Sequence, residues 1–256
     1  MHEQGTGEQQ PAGHRCGRER RAAGRHGIRR EGQQPARRPG EGGTVTRGLL
    51  FSQMDPPPGR EADFHDWYDT EHIPARLALA GFEAAARYRA VTGQPRYLAV
   101  YELSDLAALG TPGYRRLKDE PSARTRWMLS HVRGFTRFTC ELLTDVGSGG
   151  VGEYLSAVAF AVPGEDTGDL AAWYDTEHVP ALLAAPGWLR VRRWQVRSGS
   201  GAPWTHLALH ELASRSVMDS PQRAAARRGP LRDALASRPW FSRSGRWLYE
   251  LLGRWP

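Results

Sequence analysis

One hexapeptide occurs twice in this chain. Trp67-Tyr68-Asp69-Thr70-Glu71-His72 and Trp173-Tyr174-Asp175-Thr176-Glu177-His178 are identical, and each is followed by Ile or Val and then Pro. Placing Asp63–Gly81 over Asp169–Gly187, an offset of 106, gives twelve identities in nineteen positions, and Tyr88 falls on Trp194. The offset then becomes 109: Leu98–Leu103 meets Leu207–Leu212, and Arg137–Leu143 meets Arg246–Leu252. The three extra residues fall in the turn Ser198–Pro203, where a surface insertion costs little. Gly147-Ser148-Gly149-Gly150 between the copies has linker composition. A chain so built is expected to fold as two copies of one unit of roughly 100 residues.

Each copy reads the same way. A strand (about 47–54; about 153–162) leads to a helix (about 62–79; about 168–184), with Asp63 or Asp169 as the expected N-cap. Two strands follow, joined by a Gly/Pro turn (about 82–91 and 96–103; about 188–197 and 204–212). A second helical stretch (about 113–130; about 220–237) precedes a last strand (about 132–143; about 240–252). The order β-α-β-β-α-β is ferredoxin-like, a four-stranded antiparallel sheet with both helices on one face. The other face must be covered, and the second copy is the obvious cover. The expected fold class is therefore α+β, two ferredoxin-like units packed sheet to sheet within one chain, with a cavity between the sheets.

Residues 1–44 stand apart. They are rich in Gly, Arg, Gln and Pro and hold nine Arg and five Glu, which is +4 of the net charge of +7. Such a segment cannot bury enough surface to offset its ordering entropy. The reading is a disordered extension, or a spurious one with the true start at Val45. The domain division is then 1–44, a first repeat 45–145, a linker 146–152 and a second repeat 153–256. Because the basic charge lies in a stretch without interleaved aromatics, nucleic acid is not expected as a partner. With 39% hydrophobic residues the remainder can form a core, but no apolar run is long enough for a bilayer and no secretory leader is visible. Cys16 and Cys140 form no disulfide framework, so a reducing cytoplasm is the default.

The hexapeptide carries the chemistry. Pro74 lacks a backbone donor, so the carbonyl of Thr70 should lose its helical partner and His72 should lie at a helix break, where the dipole favours its protonated form. Asp69 and His72 are three apart and Tyr68 and His72 four apart, so they share a face. An Asp–His pair fixes a tautomer and tunes basicity, as a general acid/base requires. Tyr174, Asp175 and His178 repeat the arrangement. The structural alternative stands beside it: Trp67 and Trp173 as core anchors, Asp69, Glu71 and their partners as caps or braces of the strand that follows Gly81, Pro74 and Gly81 shaping the helix exit.

The run Trp-Tyr-Asp-x-Glu-His-(Ile/Val)-Pro, with Gly81-Phe82 or Gly187-Trp188 after it, resembles the EthD-type family of the dimeric α+β barrel superfamily, once per copy over about 45–256. That superfamily usually assembles two identical chains, so the resemblance implies a fused pair. Its members include cofactor-free monooxygenases, polyketide cyclases, lactone isomerases, decarboxylases or dehydratases, and haem-dependent enzymes. Fold alone does not choose among them.

In the third strands, Tyr97, Ala99 and Tyr101 share one face and Leu98 and Val100 the other; His206, Ala208 and His210 oppose Leu207 and Leu209. The Leu/Val face should pack on helices and the Tyr/His face look into the inter-sheet cavity, where Ala leaves room and the polar tips orient a ligand. Solvent-exposed sheet is the alternative. Trp188, Arg190, Arg192 and Trp194 share a face of the neighbouring strand, with Trp194 as a further pocket residue and the arginines facing water or an acidic substrate. No phosphate loop, dinucleotide fingerprint or Gly-x-Ser-x-Gly elbow is present. The leading expectation is a small-molecule enzyme using acid/base catalysis without a cofactor (cyclase, dehydratase, decarboxylase or isomerase) on an aromatic or polyketide-like metabolite. Its catalytic set is His72, His178, Asp69, Asp175, Tyr68 and Tyr174, and its pocket Tyr97, Tyr101, His206, His210 and Trp194. The alternatives are an oxygenase, cofactor-free or haem-dependent with a histidine as axial ligand, and a non-catalytic binding barrel. No metal site and no membrane partner are expected, and a homodimer of the fused pair stays open.

Overall fold

The computed structural model describes residues 46–148 and 150–256. The expectation for residues 1–44 lies outside the described residues. Element order in the first half is β1 (Gly48–Asp55), α1 (Glu61–Trp67), a π turn (Tyr68–His72), α2 (Ile73–Leu77), β2 (Phe82–Thr92), β3 (Tyr97–Leu103), α3 (Pro112–Asp119), α4 (Ala123–His131) and β4 (Arg133–Gly147). The second half repeats the order as β5 (Tyr154–Phe160), α5 (Thr167–Trp173), a π turn (Tyr174–His178), α6 (Val179–Leu183), β6 (Trp188–Ser200), β7 (His206–Leu212), three short helices α7 (Pro221–Ala225), α8 (Pro230–Ala236) and α9 (Pro239–Ser242), and β8 (Gly245–Trp255). No described helix is long and apolar enough to cross a membrane.

The strands close into an antiparallel barrel in the order β1-β3-β2-β8-β5-β7-β6-β4. Each half contributes its own four-stranded sheet, and the two sheets join at β2–β8 and β4–β6. Closure leaves no strand edge exposed along the ring. It also covers both faces of every central strand, which is why β1 and β7 are buried almost throughout rather than alternating between buried and exposed.

Which face looks where differs from the sequence expectation. Leu98, Val100, Leu207 and Leu209 point into the barrel with Leu49, Phe51, Phe138 and Tyr249 and fill it. Tyr97, Ala99 and Tyr101 lie on the outer face, against the helices of the first half. Strand parity distinguishes two faces but does not say which one the helices cover. The space between the sheets is thus a packed core, and the open volumes lie between sheet and helices, one per half.

A second correction concerns β6. The register slips by one residue between Trp188 and Arg190. That bulge reverses the side-chain alternation, so Trp188 faces the helices while Arg192 and Trp194 share the barrel side. Neither arginine simply meets water. Arg190 is bonded to Asp145, and the buried Arg192 reaches both Glu102 (2.7 Å) and Glu211 (2.8 Å).

The expected N-caps also move. The residues before α1 and α5 are Arg60 and Asp166, and Asp63 and Asp169 sit inside the first turns, paired with Arg60 and Arg238. Gly81 and Gly187 follow the expected turn. Both have positive φ (86° and 89°), and a Cβ there would meet Ala108 Cβ at 2.6 Å or Val217 Cγ2 at 2.9 Å.

Candidate functional site

Pro74 and Pro180 do not end their helices. The chain instead takes one π turn, Ile73 N–H donating to the Tyr68 carbonyl and Val179 N–H to that of Tyr174, and continues with the proline inside the first turn of α2 or α6. A π turn absorbs the missing donor by widening the ring, and such turns recur at functional sites. It turns Tyr68 and His72 inward and leaves Asp69 and Thr70 exposed. His72 and His178 therefore lie mid-element, away from any helix end that would favour their charged form.

The expected Asp–His pair does not form. Asp69 accepts a bond from Arg87, and Asp175 one from Arg193 (2.6 Å), each arginine coming from the second strand of its half. Those guanidiniums lie over the phenol rings, Arg87 at 4.4 Å from the centroid of Tyr68 and Arg193 at 5.2 Å from that of Tyr174. The Asp thus anchors an arginine that covers the Tyr. The motif glutamates brace helices: Glu71 accepts from Ser122, which caps α4, and from Thr125 on α4, and Glu177 from the backbone N–H groups of Leu231 and Arg232 on α8. Trp67 is fully buried and donates to Thr125 Oγ1 (2.9 Å). Trp173 is buried too, and it lines a cleft.

In the second half a cleft of about 220 Å³ lies between β5, β7, β8 and the helices. Tyr174, His178 and His210 meet there with Trp173, Trp188 and Phe241. The His178 ring is stacked on Trp173 (4.2 Å, 26°) and stands 6.2 Å from His210, centroid to centroid. Its Nδ1 lies 2.8 Å from the carbonyl of Ala226, which fixes the proton on that nitrogen. Nε2 is left as the acceptor, with no protein partner among the described residues. Burial pulls the pKa of His178 down to about 4, opposed by the Ala226 bond and reinforced by Arg246, Arg223 and Arg227. His210 is pushed to about 3 by burial and the neighbouring His178, and its Nδ1 has no hydrogen-bond partner. Both rings are neutral near pH 7.

The first half has a larger cleft, about 470 Å³, lined by Tyr68, His72, Tyr101, Tyr114, Arg76 and Arg137 among others. His72 is only 5% exposed, lies 4.1 Å from the ring of Trp67, and its burial drives the pKa well below the usual imidazole value. Tyr68 Oη donates to Met54 Sδ (3.6 Å), and among the described residues the buried Oη of Tyr101 and Nδ1 of His72 have no hydrogen-bond partner. Burial pushes Tyr101 up to about 12, so it is a neutral donor.

Of the pocket residues expected from sequence, Tyr101 and His210 lie in the clefts, at positions that match at the offset of 109. Tyr97 is instead bonded to Glu61, His206 lies beside Thr205 (2.9 Å) off the cleft, and Trp194 belongs to the barrel interior. His178, His206 and His210 do not converge: no group of three or more His, Cys, Asp or Glu among the described residues has metal-binding geometry. Haem fits the second cleft poorly. The imidazole face is covered by Trp173, and about 220 Å³ falls short even of the roughly 300 Å³ usual for drug-sized ligands. The sequence reading missed the arginines of this cleft, Arg223, Arg227, Arg232 and Arg246. The match of Arg246 to Arg137 was visible in the repeat; the others sit on α7 and α8, where no motif marks them.

No family model matches this sequence, and no curated protein matches it. Solved structures do match in fold. An anthrone oxidase-like protein superposes with a TM-score of 0.61 at 11% identity, covering 82% of this chain and 93% of that one. A provisionally named monooxygenase from Fusobacterium nucleatum subsp. nucleatum gives 0.57 at 8%, covering 82% and 94%. A provisionally named chlorite dismutase gives 0.51 at 13%, covering 82% and 96%. The likeness is one of fold: this chain is a dimeric-type α+β barrel carried in a single polypeptide.

Proposed function

We propose that this protein is a small-molecule enzyme whose second-half cleft removes a proton from an enolisable or phenolic aromatic compound and lets dioxygen oxidise the resulting anion, without a dissociable cofactor. The observation that carries the reading is His178. Its Nδ1 is committed to the Ala226 carbonyl, and its unprotonated Nε2 belongs to a cleft lined by arginines and no carboxylate. A neutral imidazole there accepts the proton, and the guanidiniums stabilise the enolate or phenolate as it forms. For a ring CH₂ group, the proton goes to His178 and the carbanion adds to O₂. His178 returns its proton to the resulting peroxide anion, and the hydroperoxide then loses water to leave a ketone, so one O₂ is consumed and one H₂O released. Tyr174 and the aromatic walls hold the ring.

The fold likeness to an anthrone oxidase-like protein and a provisionally named monooxygenase supports dioxygen as the acceptor. The purified full chain should take up oxygen with an anthrone and form the quinone. His178→Ala should slow this by about 10²- to 10⁴-fold. Unchanged turnover in that variant would reject the assignment. Turnover that persists unchanged without oxygen would place the same proton transfer in cyclisation, dehydration, decarboxylation or isomerisation. A haem-like absorption band in the purified protein would reject the cofactor-free reading.

A further inference from the structure

The two clefts are built from matching positions and differ in charge. At the offset of 109, Arg137 corresponds to Arg246, Tyr114 to Arg223 and Lys118 to Arg227. In the first half, Arg137 donates to Tyr114 Oη at 3.1 Å, a neutral partner for one charge. In the second half the tyrosine is replaced by a second arginine, so the pair becomes Arg246 with Arg223. Arg227 and Arg232 line the same space, and no Asp or Glu does. Arg223 spends one N–H on the Met218 carbonyl (2.6 Å), while the side chains of Arg246 and Arg227 have no protein partner among the described residues. Burial lowers the pKa of Arg223, reinforced by Arg227 and Arg246 and opposed by Asp219, and lowers that of Arg246, reinforced by Arg227 and Arg232 and opposed by Tyr174. Arg223 and Arg232 are partly buried and Arg227 and Arg246 are exposed at the cleft rim; crowded like charges repel, and an anion among them relieves that repulsion. Planar guanidiniums match a carboxylate in forked, two-bond geometry. Trp173, Trp188 and Phe241 supply flat apolar walls beside them.

We propose that the second-half cleft binds an aromatic carboxylate, its carboxylate held between Arg223 and Arg246. The inference rests on the catalytic reading of this cleft and names its substrate class. It also joins binding to chemistry: a bound anion offsets the arginine charges that help depress His178, making that base stronger when the site is filled.

The test is calorimetric titration of the full chain with 2-naphthoate, its uncharged amide 2-naphthamide and inorganic phosphate. Naphthoate is expected to bind below millimolar and at least 10-fold more tightly than the amide. Arg223→Tyr, which writes the first-half residue into the second half, and Arg246→Gln should each weaken naphthoate at least 10-fold; Arg137→Gln should not. Equal binding of acid and amide, no saturable binding, or indifference to both second-half substitutions overturns the proposal. Phosphate binding as tight as naphthoate overturns the carboxylate assignment in favour of a phosphate site. The outcome is separable from the catalytic reading, because His178→Ala should slow turnover by about 10²- to 10⁴-fold yet leave naphthoate binding in place. Should Arg223→Tyr fail to fold, shown by lost near-ultraviolet dichroism, Arg246→Gln carries the test.

Discussion

His178 is useful only in its neutral form, and the same burial that keeps it neutral makes the molecule sensitive to acid. An exposed imidazole titrates near 6.5, whereas His178 is held at about 4 and His210 at about 3. Between these values the unfolded chain binds protons that the folded chain refuses. The stability contribution is therefore complete above pH 6.5 and falls as the pH drops toward 4. Each histidine should remove about 1.4 kcal/mol per pH unit within that window. Urea midpoints measured from pH 7.5 to 4.5 should decline, and His210→Tyr, the residue found at the matching first-half position, should flatten the slope. An unaltered slope in that variant would show that His210 is not held neutral by burial. The sequence pointed to these rings but paired them wrongly. Asp69 and Asp175 share a helical face with the histidines only on a regular α-helix, and each has an arginine waiting on the neighbouring strand, a contact that helix periodicity cannot reveal.

That arginine contact and the inward turn of Tyr and His both depend on the π turn, an element the sequence half disclosed. Pro74 and Pro180 announced a disturbed hydrogen-bond ladder, but a break and a widened turn begin from the same missing donor. The choice between them is made by packing, since α2 and α6 still have Ile73, Val179 and Leu182 to bury. The motif carboxylates were legible as braces of the strand after Gly81; Asp69 does hold that strand through Arg87, but the glutamates brace the later helices instead. Glu177 accepts from the N–H groups of Leu231 (3.1 Å) and Arg232 (3.3 Å) at the start of α8, which has no side-chain cap of its own. Glu177→Ala removes both acceptors and should cost about 1 kcal/mol, the usual worth of a cap. Chemical denaturation should show a lowered midpoint with an unchanged slope. A null effect would mean that water replaces the carboxylate without loss.

On the scale of the whole barrel, the two halves match in fold but not in charge, and the asymmetry reaches the seam between them. Glu102 on β3 and Glu211 on β7 occupy matching positions on the inner face, yet a single arginine, Arg192 on β6, serves both; the matching first-half residue is Ala86. The three side chains link strands of the two halves, and the Arg192 and Glu211 side chains are 4% and 1% exposed. Burial raises the pKa of Glu211 while the Arg192 charge lowers that of Glu102, so the shared arginine settles both carboxylates unequally. A buried triad of this kind is costly to break from one side, because each remaining charge loses its partner. Arg192→Met should therefore cost about 3–5 kcal/mol, and the loss should shrink when Glu102→Gln and Glu211→Gln are added, since neutral amides leave no stranded charge. Urea titration of the single and triple variants decides it. Equal destabilisation in both would mean that Arg192 matters for filling the barrel end rather than for joining the charges across the two halves.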